Sequence, residues 1–149
     1  MRIAIVDSNK TYQNILEAKI ESHNSKNGTK WEVDYFSGCK DLGMAKLRQY
    51  EIIISEYDLP VMKGHQLLES IQHKTNASMA LMGLKNGWVS DKLIQDNNIK
   101  TIIDKRDPSN VISWVKYMES RLEIDTYYNE IQASYDTCAE HLSTLPTQK

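Results

Sequence analysis

Short apolar runs rich in β-branched residues recur along the chain at 2–6, 31–36, 52–55, 79–84 and 100–103, with amphipathic stretches between them. Runs of this length bounded by turn-forming residues predict strands. Segments 10–22, 40–49, 65–73, 90–97 and 109–122 carry apolar residues three and four apart, the spacing that gathers side chains on one face of a helix. Ile15, Leu16 and Ile20 mark the first of these stripes, and Leu67, Leu68 and Ile71 the third. Alternation of strand and helix predicts an α/β domain with a doubly wound, five-stranded parallel sheet, (βα)5, covered on both faces. Ligands of such sheets gather at the carboxyl ends of the strands, where Asp7, Glu56 and Lys105 fall. Asn27-Gly28, the stretch from Pro60 to Gly64 and Lys85-Asn86-Gly87 supply turns at the expected junctions.

The last helical pattern runs past the end that a five-helix domain needs. Val111, Trp114, Val115, Met118 and Leu122 form one stripe; Ile124, Tyr128, Ile131, Tyr135, Cys138 and Leu142 form a second, out of phase with it. The skip predicts either a bend near 123–125 or a straight helix whose apolar face rotates. A domain over 1–121 with an extra C-terminal helix in 122–149 follows. The second stripe fits a tail packed on its own domain, and its four-three spacing also fits a dimer seam.

Charge and composition narrow the function. The 149 residues carry 18 basic and 20 acidic side chains, a formal charge of -2, with no concentrated Lys/Arg run, so nucleic-acid binding is not expected. No apolar run approaches the roughly 20 residues that span a bilayer. The chain opens directly on a strand instead of a signal peptide, and a cytoplasmic protein is expected. Cys39 and Cys138 are far apart and read as reduced thiols. His23, His65, His73 and His141 have no ligand spacing. No histidine is placed to activate Ser8 or Ser55, and enzymatic activity is not expected.

Five points in order carry a family resemblance. The first strand ends in Val6-Asp7-Ser8-Asn9, the third delivers Glu56 ahead of Pro60, Met62 and Gly64, the fourth ends at Gly83, and the fifth ends at Lys105. Over roughly residues 1–121 this resembles the response-regulator receiver domain, a flavodoxin-like fold. In that family paired acids end the first strand, an aspartate is the phospho-acceptor, a Ser or Thr ends the fourth strand and a lysine ends the fifth. The resemblance implies a site where Mg²⁺ neutralises an incoming phosphoryl group and the aspartate attacks it.

The departures fall on that chemistry. Ser8 replaces the second acid, so Mg²⁺ binding is expected to be weak or absent, with Asp7, Glu56 and Asp58 as a vestigial ligand set. Glu56 has nearly the basicity of aspartate but one more methylene, which moves its carboxylate by about 1 Å and can cost roughly 100-fold in rate. Gly83 lacks the phosphate-binding hydroxyl, and Ile102 stands where an aromatic residue relays the switch. Arg106 replaces the proline that commonly follows the lysine, so an ordinary trans bond is expected there. A protonated Lys105 can bridge to Glu56 in place of metal and phosphate, leaving open whether Glu56 imitates the phosphorylated state or fixes a single conformation.

The expected function is a phosphorylation-independent interaction module of two-component type, without cofactor. Phosphorylation on Glu56 or Asp58, or small-ligand sensing near Lys105 and Arg106, are the alternatives. Expected partners are proteins: a histidine kinase, another regulator, an output protein or a second copy. The expected contacts are the face of the fourth helix, fifth strand and fifth helix, with Trp88 and Trp114, and the tail with Tyr128, Ile131 and Tyr135.

Overall fold

Five strands, β1 (Arg2–Val6), β2 (Glu32–Phe36), β3 (Ile52–Glu56), β4 (Ser78–Gly83) and β5 (Ile102–Asp104), lie parallel in the order β2-β1-β3-β4-β5. The computed structural model describes residues 1–84 and 99–145. The predicted fourth helix at 90–97, the Lys85-Asn86-Gly87 turn and Trp88 lie outside the described residues.

Successive strand residues point to opposite faces of a sheet. In β1, β3 and β4 both sets are buried. Ala4, Val6, Ile53, Met79 and Leu81 belong to one apolar cluster with Leu42, Leu67 and Leu68, while Ile3, Ile5, Ile52, Ile54, Ala80 and Met82 are equally buried outside it. The sheet is therefore covered on both sides, which is why these strands read as continuous apolar runs. β2 sits at an edge, and none of its five residues is fully buried.

Four α-helices are described: α1 (Lys10–Asn27), α2 (Cys39–Gly43), α3 (Gly64–Ile71) and α4 (Ser109–Thr144). α1 begins at Asn9, whose side-chain carbonyl accepts the Tyr12 N–H, and ends at Gly28, whose positive φ of 65° closes the helix at little cost. It runs five residues beyond its predicted end. Those residues are polar and escape an apolar pattern, yet Asn24 accepts the Trp31 N–H (3.1 Å) and donates to the Trp31 carbonyl (3.0 Å), tying the helix to the entry of β2. The buried stripe of α1 is Gln13, Leu16 and Ile20; Ile15 is exposed.

The predicted helix at 40–49 is instead α2 followed by a 3-10 turn, Leu47–Gln49. Leu42 and Leu47 are both buried. Five residues on a continuous helix would turn them about 140° apart, and the break after Gly43 lets both reach the core.

The chain forms two units, Met1–Val115 and Lys116–Lys149. In the first, Val111 and Val115 are buried and Trp114 is half-buried. In the second, every described residue from Glu123 onward is exposed, including Ile124, Tyr128, Ile131, Tyr135 and Leu142. Between the two sequence alternatives, the helix is uninterrupted across 123–125. Among the described residues, no helix is long and apolar enough to cross a membrane.

Candidate functional site

β1 ends by delivering Asp7 into the interior. Its N–H donates to the Phe36 carbonyl (2.9 Å), continuing the β1–β2 ladder by one residue, and its side chain is fully buried. The chain then turns into α1, and the Asn9 N–H donates to Asp7 Oδ1 (2.7 Å). β3 delivers Glu56 beside it, and β5 leads to Lys105, whose N–H donates to the Gly83 carbonyl (3.1 Å).

The three side chains meet. Lys105 Nζ donates to Asp7 Oδ2 (2.7 Å) and to Glu56 Oε1 (3.0 Å), with little of the lysine side chain left in contact with solvent. The second carboxylate oxygen of Glu56 accepts from Ser8, from its hydroxyl at 3.2 Å and its N–H at 3.3 Å. Ser8, which removes an acid from the sequence pattern, thus becomes a donor to the lengthened one.

Tyr12 and Gln13 complete the site, and neither is expected from the motifs. Lys105 Nζ lies 4.3 Å from the centroid of the Tyr12 ring, a cation–π contact. The Tyr12 hydroxyl is buried without a hydrogen-bond partner among the described residues. Burial, together with the nearby carboxylates of Asp7, Asp107, Glu56 and Asp104, raises its pKa and keeps it neutral. Gln13 Nε2 donates to the Asp7 carbonyl (2.6 Å) and the Phe36 carbonyl (3.1 Å), clamping β1 to β2 beneath the site. An amide at a stripe position three before Leu16 was the available signal.

Burial pushes the Asp7 carboxyl upward, and the hydrogen bonds from Lys105 and Asn9 offset this only in part. For Lys105, burial acts to lower the pKa, but the bonds to Asp7 and Glu56 together outweigh it and the amine is held above its ordinary value. The lysine is therefore a firm cation. With both carboxylates ionised the cluster carries a net charge of -1.

The loop after Glu56 is held by backbone geometry. Gly64 N–H donates to the Tyr57 carbonyl (2.8 Å), Tyr57 N–H donates to the Met82 carbonyl (2.8 Å), and the Tyr57 and His65 rings stack at 5.3 Å. A Cβ on Gly64 would collide with the Glu56 carbonyl oxygen and lie 2.9 Å from both its carbon and Leu81 Cδ2. Glycine is required there because α3 starts against the backbone of the site. Asp58 is exposed and ion-paired with Lys63. A cavity of about 470 Å³ opens over the cluster, lined by Asn9, Glu56, Tyr57, Asp58, Gly83, Leu84 and Lys105. Ile102 packs against the apolar cluster, and the described peptide bonds, including 105–106, are trans.

No protein-family model matches the chain, and no curated protein matches it in sequence. Solved structures do. The chemotaxis response regulator CheY4 of Vibrio cholerae is 14% identical, with a TM-score of 0.64 over 78% of this chain and 96% of that one. A two-component response regulator from Clostridium difficile is 19% identical, with a TM-score of 0.68 over 82% and 98%. The signal receiver domain of an HD domain-containing protein from Pseudomonas fluorescens Pf-5 is 18% identical, with a TM-score of 0.65 over 85% and 91%. The fold is that of a receiver domain. Asp7, Ser8, Glu56, Gly83 and Lys105 stand together at the carboxyl ends of β1, β3, β4 and β5. The tail residues Tyr128, Ile131 and Tyr135 belong to the other unit.

Proposed function

We propose that the chain is a protein-binding signalling module of two-component type that works without phosphorylation, its acceptor position held by a fixed ion-pair cluster. One observation carries this reading: Lys105 Nζ lies between Asp7 and Glu56, bonded to both. A lysine placed there supplies, between the two carboxylates, positive charge that a metal would otherwise bring.

The residues present do not fit Mg²⁺. A hard dication needs close to six oxygens in octahedral array, usually with one or two carboxylates to hold it. Here the Asp7 oxygens are engaged by Asn9 and Lys105, and those of Glu56 by Lys105 and Ser8. Metal entry would have to displace an ammonium from a buried carboxylate. Phosphoryl transfer to Glu56 meets the same obstacle, because both its oxygens are occupied. Asp58 is paired with Lys63 on the exposed loop.

A module fixed in this way acts through its surfaces. Its partners are proteins such as a kinase, another regulator or an output protein, and the exposed tail unit supports self-association. It has no catalytic role and takes no cofactor.

Incubation with acetyl phosphate and Mg²⁺, followed by intact-mass analysis, tests the reading. The expected result is an unmodified chain, with the triple variant Ser8→Asp, Glu56→Asp, Gly83→Thr as the positive control. A phosphoryl adduct on the natural chain that disappears in Glu56→Gln overturns it.

A further inference from the structure

In the tail unit, Ile124, Tyr128, Ile131, Tyr135, Cys138 and Leu142 follow one another at intervals of four, three, four, three and four residues on an uninterrupted helix. That spacing places them on a single seam of the kind two helices share. All six are exposed. The tail association proposed above leaves the partner helix and its direction open. We infer that two copies of this chain pair antiparallel through the seam, about a two-fold axis that crosses it at the level of residue 133.

Three features favour this arrangement. The first is fit. An axis at that level sets Tyr128 opposite Cys138 of the partner subunit, Ile131 opposite Tyr135 of the partner subunit, and Ile124 opposite Leu142 of the partner subunit. Each large ring then meets a smaller side chain, the alternation that fills a seam without strain. A parallel pair would stack Tyr128 and Tyr135 each against its own copy, and would set Arg121, one step earlier on the same seam, against Arg121 of the partner subunit.

The second is charge. Flanking the seam are Asp125, Gln132 and Ala139 on one side and Tyr127, Ser134 and His141 on the other, with one carboxylate and no Lys or Arg among them. Antiparallel pairing brings Asp125 toward Ala139 of the partner subunit and Tyr127 toward His141 of the partner subunit. No like charges meet, and Arg121 lies at the end where it approaches the C-terminus of the partner helix, whose unpaired carbonyls favour a cation.

The third is area. With 64% of Tyr128 and 69% of Tyr135 open, each ring offers on the order of 100–150 Å², and the whole seam roughly 600 Å² per chain. The pair would bury about 1,200 Å², the lower bound for a stable specific interface. Tyr127, 61% open beside the seam, adds to this.

Light scattering and thiol cross-linking on the full chain test the inference. Both use a Cys39→Ser background, which leaves Cys138 as the single cysteine. The expected mass is twice that of the chain. A short bismaleimide should leave Cys138 alone unlinked, whereas adding Tyr128→Cys should yield a cross-linked dimer with residue 128 joined to 138. The pair Ile131→Cys with Tyr135→Cys in a Cys138→Ser chain should link likewise, guarding against loss of association through Tyr128. A monomer mass overturns self-association through the tail, and a mass of three or more chains overturns pairing by twos. A dimer in which Cys138 links to its own copy overturns the direction alone, and one that gives none of these links overturns the register.

Discussion

Replacing Lys105 with methionine removes the cation while roughly keeping its volume, and leaves Asp7 and Glu56 facing one another without compensation. The lysine side chain is 12% exposed, that of Asp7 0% and that of Glu56 14%, so solvent screens little of the change. Breaking a buried pair by removing one partner costs about 3–5 kcal/mol, and the lower end applies because one carboxyl can relieve the charge by taking up a proton. The expected loss is therefore about 3 kcal/mol at pH 7, which at a urea slope near 2 kcal/mol/M lowers the unfolding midpoint by roughly 1.5 M. Urea titration followed by fluorescence of the buried Trp31 measures it.

The pH dependence of that loss has a definite sign. Lys105 is raised above its ordinary 10.5, so its contribution is complete below that value and disappears only as pH climbs through the folded one. Asp7 is raised above 3.8, so its contribution is complete below that value and is lost as pH rises through its folded one. Without Lys105 the bond that restrains Asp7 is gone and its pKa climbs further. Lowering the pH from 7 to 5 then stabilises Lys105→Met more than the natural chain, and the gap narrows. A gap below about 0.5 kcal/mol at pH 7 would mean that the bridge is a surface-type ion pair. A gap of constant size between pH 7 and pH 5 would refute the coupling between the two groups.

Two further substitutions address the scaffold of the site. Gly64→Ala places a methyl group against the Glu56 backbone and should cost about 2–3 kcal/mol, lowering the melting temperature by roughly 10 °C; an unchanged melt would refute the close approach. Gln13→Ala leaves the Asp7 and Phe36 carbonyls short of a donor and should destabilise by about 1–3 kcal/mol in urea unfolding, whereas a neutral outcome would show that the clamp between β1 and β2 is dispensable.

Every strand could be read in advance to within two residues, the edge strand β2 included, and burial gives the reason for the central ones. β1, β3 and β4 are buried on both faces and their apolar runs locate them within a residue or two. Where polar contacts govern, pattern fails: the last turns of α1 are held by Asn24, and α2 stops short to admit Leu42 and Leu47. The same division holds at the site. Asp7, Glu56 and Lys105 were legible because strand ends converge, and Ser8 was legible as a missing acid. Its role as a donor to Glu56 depends on where the extra methylene sends a carboxylate, which sequence alone does not determine. Tyr12 was hidden for another reason, since its ring acts through its face and leaves no polar signature.

The pairing of Lys105 with Asp7 joins positions 98 residues apart, close to the two ends of the first unit. Closing so long a loop is entropically unfavourable until the strands between are already in place. Lys105→Met is accordingly expected to speed unfolding while leaving the folding rate unchanged in stopped-flow urea jumps, and a matching fall in the folding rate would refute late formation of the bridge. Interactions absent from the folding transition state leave the rate of folding unaltered and set the rate of escape from the native state. The lysine acts as a latch: the lifetime of the folded module, more than its speed of assembly, rests on one ammonium at the end of β5.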